Sequence, residues 1–175
     1  MRPDALLRSG KGLAGTTRTK DTKAAKVSKI DKIDRVAELA RIAQLEAAPA
    51  QARDDHFATR RGVRCAGVHL IIDVHGAEGL DDLDLIEATL RRCVDAAQAT
   101  LLHIHLHHFQ PNGVSGVAVL AESHISIHTW PDAGYAALDV FMCGNADPDA
   151  CIPVLREAFK ARTVKVEEIL RGREA

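Results

Sequence analysis

Glu122-Ser123-His124-Ile125-Ser126-Ile127-His128-Thr129-Trp130-Pro131 alternates polar and apolar side chains, the period of a half-buried β-strand. Three hydroxyls (Ser123, Ser126, Thr129) and two imidazoles (His124, His128) fall within seven residues of one another. Burying polar groups at this density is unfavourable unless each finds a partner. The stretch therefore reads as a strand that carries chemistry.

Working outward, Val114 to Ala121 precedes it as an apolar run, and Gln110-Pro111-Asn112-Gly113 is a strong turn signal. Before that turn, Leu102-His103-Ile104-His105-Leu106-His107 alternates strictly. After the central stretch, Pro131-Asp132-Ala133-Gly134 turns the chain into a further strand, Tyr135 to Gly144. Short turns between consecutive strands imply antiparallel pairing, because parallel neighbours need a long crossover. Upstream, Gly67 to Val74 predicts a strand closed by His75-Gly76. Asp81 and Asp82 can cap a helix whose Leu83, Ile86, Leu90, Cys93, Val94 and Ala97 form one stripe. Downstream, Asp147-Pro148 opens a helix with apolar Ile152, Val154, Leu155 and Phe159, and Thr163 to Ile169 alternates as a last strand. The order β-α-β-β-β-β-α-β predicts an α+β fold, a two-layer sandwich with two helices on one face of a mainly antiparallel sheet.

At 175 residues, the chain has room for one compact domain and an appendage. Apolar residues at 46% and charged residues at 27% fit a soluble globular protein. No run approaches the roughly 18 apolar residues of a membrane span, and no apolar region of a secretory signal follows the basic N-terminus. Cys65, Cys93, Cys143 and Cys151 show no CxxC spacing; free thiols in a reducing cytoplasm are expected. Residues 1–30 hold eight Lys or Arg against Asp4 and Asp21. They read as a disordered basic tail, with nucleic acid at most a weak contact. Residues 31–48 have helical periodicity and 49–62 resemble a linker, which makes 1–61 an extension and 62–175 the folded domain.

Three constellations suggest chemistry. His103, His105 and His107 share one strand face, but neighbours there stand about 6.6 Å apart and parallel. A metal bound at roughly 2.0–2.1 Å needs convergence, so a solvated face or a subunit contact is expected and a metal is not. Cys143, His128 and Asp139 supply the residue types of a Cys-His-Asp hydrolase. Finally, the Ser123 hydroxyl can attack the Glu122 carbonyl, moving the acyl group from nitrogen to oxygen. β-Elimination then leaves dehydroalanine, which hydrolyses to a pyruvoyl group. That route needs a strained backbone and an oxyanion donor, with Ser115 and His128 as helpers. Spacing alone leaves these alternatives open.

Gly113-Val114-Ser115-Gly116, the run Glu122 to Pro131, Gly134 to Phe141 and Cys143-Gly144 together resemble the prokaryotic S-adenosylmethionine decarboxylase family. The likeness covers about residues 66–170, and the E-S-H-x-S-I-H-T-W-P run is highly specific. It implies autocatalytic cleavage between Glu122 and Ser123, with Ser123 converted to a pyruvoyl cofactor that binds the substrate amine as a Schiff base. It implies processing roles for Glu122, Ser115 and His128 and makes Cys143 the acid that protonates the substrate α-carbon. Phe109, Trp130 and Asp132 match substrate-binding positions, although glutamate commonly follows Trp-Pro in the family. The resemblance further implies S-adenosylmethionine as substrate, spermidine synthesis as the setting, and a cytoplasmic homodimer with shared active sites. Pyruvoyl decarboxylases of arginine or ornithine share the self-processing core and are the alternative within the class; an uncleaved regulatory paralogue is the alternative outside it, against which the intact Ser115, Ser123, His128 and Cys143 argue.

Overall fold

The computed structural model describes residues 56–173, together with Ala40 and Ala43, which are helical and exposed. The expected basic tail and the rest of the 31–48 helix lie outside the described residues. Everything described from 56 onward belongs to the unit Glu38–Ala175.

The strands are β1 (Ala58–Arg60), β2 (Val63–Cys65), β3 (Gly67–His75), β4 (Leu101–His108), β5 (Val114–Leu120), β6 (Ser123–Trp130), β7 (Tyr135–Met142) and β8 (Thr163–Arg171). Helix α1 (Leu83–Ala96) joins β3 to β4, and α2 (Cys151–Ala158) joins β7 to β8. Six strands form one sheet in the order β4-β5-β6-β7-β3-β8, every neighbour antiparallel. The central strand β6 lies between β5 and β7, as its alternation and flanking turns require.

Alternation divides the sheet into two unlike faces. Val68, Leu70, Ile72 and Val74 of β3, Ile125 and Ile127 of β6, and Leu138, Val140 and Met142 of β7 are buried with Ile86, Leu90, Leu155 and Phe159 of the helices. Burying each such side chain stabilises by about 1.5–3 kcal/mol. Both helices thus cover one face. Register places His69, His75, His103, His105, His107, His124 and His128 on the opposite face, with Val119 39% and Ile169 43% exposed among them.

Asp82 caps α1 by accepting from the Leu85 N–H at 3.0 Å. The expected stripe begins one turn late: Leu83 is 38% exposed, while Thr89 is buried and donates its hydroxyl to the Leu85 carbonyl at 2.7 Å. Asp147-Pro148 opens a 3-10 turn, Pro148–Ala150, and the α-helix starts only at Cys151. The linker expected over residues 49–62 is corrected from His56 onward: the β1-β2 hairpin puts Ala58 and Cys65 into the core, so the folded domain begins before residue 62. Arg60 anchors the hairpin by pairing with Asp149 and, at 2.8 Å, with Glu168. At Gly116 a Cβ would stand 2.8 Å from the His105 carbonyl oxygen, so a side chain there would force β4 and β5 apart.

Candidate active site

Two clusters of chemistry occupy opposite ends of β6. At its start, the chain reverses through Ala121-Glu122, and this turn is tied down at several points. Ala121 N–H donates to the Thr100 carbonyl at 3.0 Å, and Thr100 N–H donates to Glu122 Oε2 at 2.8 Å. The Glu122 carbonyl oxygen, which belongs to the Glu122-Ser123 peptide bond, accepts from the Cys143 N–H at 3.0 Å. That donor is placed where negative charge would develop if the carbonyl were attacked.

Ser123 itself has φ 143°, a region that L-residues rarely adopt and that costs about 1–3 kcal/mol. Its Oγ lies 3.3 Å from His124 Nδ1. Cys143, just past the end of β7, is half-buried with a free thiol. Burial first, and the charge of Glu122 second, push its pKa above the ordinary thiol value, against a smaller opposing backbone hydrogen bond. It is therefore a thiol that keeps its proton.

At the far end of β6, a cavity of about 330 Å³ is lined by Phe109, Asn112, Gly113, Ser115, His128, Thr129, Trp130, Asp132 and Ala133. Ser115 Oγ and His128 Nδ1 are hydrogen-bonded at 2.7 Å because β5 and β6 pair them directly. Phe109 and Trp130 are 47% and 50% exposed, leaving two aromatic faces open to a ligand. Trp130 packs on Tyr135 at 5.2 Å between rings, and Asn112 Nδ2 donates to Asp132 Oδ1 at 3.0 Å. Beside it, Asp81 accepts from the Gly113 N–H at 2.7 Å and holds His108 Nε2 at 2.9 Å, fixing the β4-β5 turn that carries Phe109.

Five residues of strand separate Ser123 from His128, about 17 Å at the usual rise. Within one chain the structure groups Glu122, Ser123 and Cys143 together, and Ser115, His128, Phe109, Trp130 and Asp132 together. It does not join the two groups. Nor does it assemble the Cys-His-Asp set: Asp139 is engaged by His69 at 3.2 Å and Ser126 at 3.1 Å, while His128 is engaged by Ser115. No cluster of three metal-ligating side chains occurs among the described residues, and no described helix is long and apolar enough to cross a membrane. Sequence reasoning missed the two backbone N–H groups, of Thr100 and Cys143, and the contact of His124 with the serine.

Fold and site together define a two-layer α+β protein with a strained serine just after a carbonyl held by the Cys143 N–H. A family model described as S-adenosylmethionine decarboxylase matches residues 68–172, and the chain belongs to that family. A relative from Thermomicrobium roseum, named S-adenosylmethionine decarboxylase proenzyme, is 46% identical over 112 residues, covering 63% of this chain and 97% of the relative. One of the same name from Methanococcus vannielii is 50% identical over 109 residues, or 61% of this chain and 89% of the relative. Among solved structures, the adenosylmethionine decarboxylase of Aquifex aeolicus is 34% identical with a TM-score of 0.56, covering 61% of this chain and 90% of that one.

Proposed function

We propose that this protein is a self-processing S-adenosylmethionine decarboxylase whose folded domain, which includes the β1-β2 hairpin, cuts itself between Glu122 and Ser123. The observation that carries the reading is the strained Ser123 beside a Glu122 carbonyl held by the Cys143 N–H. Attack of Ser123 Oγ on that carbonyl makes a backbone ester. Removal of the Ser123 Cα proton expels the Glu122 carboxylate, and hydrolysis of the dehydroalanine releases ammonia and leaves a pyruvoyl group on residues 123–175.

The surroundings of Ser123 fit such a group, since the residue that donates its N–H to the Glu122 carbonyl, Cys143, also carries a thiol that keeps its proton. A pyruvoyl group supplies a ketone conjugated to an amide, which accepts the electron pair left when carbon dioxide leaves a bound amine. Cys143 holds the proton that returns to the substrate α-carbon, help typically worth about 10²–10⁴-fold. Phe109 and Trp130 bracket a flat base, and Asp132, shorter by one methylene than the usual glutamate, takes the hydroxyls of its sugar.

The processing pair Ser115–His128 lies too far along β6 to serve Ser123 of the same chain. A second copy meeting the helix-free face brings its own Ser115, His128, Phe109 and Asp132 to Ser123. The functional unit is then a homodimer with two shared sites, and the histidine face is its interface. A cytoplasmic setting and a role in polyamine synthesis complete the reading, and free thiols suit it. Carbon dioxide release should be faster from S-adenosylmethionine than from arginine or ornithine when the three are compared. Preference for either free amino acid would overturn the substrate and leave the self-cleavage standing.

A further inference from the structure

We infer that His124 is the base that takes the Ser123 hydroxyl proton during self-cleavage, an inference that rests on the reading above. In a regular strand, adjacent side chains point to opposite faces, so residues 123 and 124 should not meet. They nevertheless meet: Ser123 Oγ stands 3.3 Å from His124 Nδ1, while the φ of 143° at Ser123 sets how the Glu122 carbonyl faces that hydroxyl. The result is a hydroxyl–imidazole contact at the bond to be cut.

His124 is held in place by its neighbours on the helix-free face. Its ring lies edge-on to Phe141 at 6.0 Å and to His69 at 6.5 Å. His69 is fixed in turn by Asp139 at 3.2 Å and Arg171 at 3.3 Å. The other imidazole of the same strand, His128, is occupied by Ser115 at 2.7 Å and lies about 17 Å from Ser123 along the strand. One chain thus carries a base for the first step beside its own serine. His128 of a second copy remains for the Cα proton of the elimination.

The step balances. With its proton on Nε2, the neutral ring offers Nδ1 as acceptor. As Ser123 Oγ bonds to the Glu122 carbonyl carbon, its proton passes to Nδ1, and negative charge on the carbonyl oxygen is met by the Cys143 N–H. The carbon–nitrogen bond then breaks, and the proton on Nδ1 moves to the departing Ser123 nitrogen. Ester and amine result, and His124 is again neutral.

Full-length chains carrying His124→Asn and His124→Phe test this beside the unaltered chain, with conversion followed by intact mass. Asparagine keeps an acceptor oxygen near the Nδ1 position but holds no proton; phenylalanine removes both. Both variants should convert about 10²-fold more slowly or worse. A thiol ionises with far less help, so Ser123→Cys chains treated with hydroxylamine should be cut equally with and without His124→Asn, which also reports an intact fold. A His124→Asn chain converting within about threefold of the unaltered rate, beside an unaltered chain that is cut, overturns the inference alone, since general-base help exceeds that margin. An unaltered chain that stays whole overturns the self-cleavage reading and this inference with it.

Discussion

We assign Cys143 two separable duties. Its N–H holds the Glu122 carbonyl, and its thiol, raised by burial and by Glu122, stays protonated above the ordinary cysteine range. A raised pKa means the acid is present at neutral pH and is lost only as pH climbs past the shifted value. Iodoacetamide, which reacts with thiolate, should therefore alkylate Cys143 with a midpoint above about 8.5; a midpoint at or below that would remove the acid role. Cys143→Ala should still cut, because the main-chain donor survives, while losing decarboxylation by about 10²-fold or more. At this scale the sequence supplied the candidates: Glu122, Ser123, Ser115, His128 and Cys143 stand in a recognisable pattern. The φ of Ser123 and the Thr100 and Cys143 N–H donors were hidden, since backbone conformation and amide direction leave no mark in residue identity.

The β4-β5 hairpin shows how an element positions a residue without touching ligand. Asp81, at the entry to α1, bonds the Gly113 N–H and His108 across the turn that carries Phe109. Those bonds, the backbone one foremost, also hold the Asp81 carboxyl below the usual carboxylate value. Asp81→Ala should raise KM for S-adenosylmethionine severalfold with a smaller effect on self-cleavage, because the turn it clamps carries Phe109 whereas Ser115 and His128 are held by the β5-β6 pairing. Steady-state kinetics on the cut protein check this, and an unchanged KM would dismiss the clamp. Strands and turns of this sheet were legible because apolar and polar residues alternate cleanly between turn signals. The β1-β2 hairpin was not, since two three-residue strands hold too little periodicity and its anchor, Arg60 to Asp149 and Glu168, spans distant sequence.

For the whole molecule, the decisive fact is separation: one chain carries both halves of a site at opposite ends of one strand. The resemblance implied shared sites, and the separation of the two groups along β6 is what supports our proposal of one. Co-expressing a Ser123→Ala chain with a His128→Ala chain should let the second be processed to a pyruvoyl end, using His128 of its partner. Pyruvoyl formation by the His128→Ala chain alone, or none in the mixture, would refute the shared site. The central claim is that the Glu122-Ser123 bond is broken by the protein itself. Intact mass of the purified, unaltered protein tests it most directly: the account predicts two chains, 1–122 and 123–175, the second bearing pyruvoyl in place of Ser123. A single uncut chain of 175 residues, under conditions that permit maturation, would contradict it.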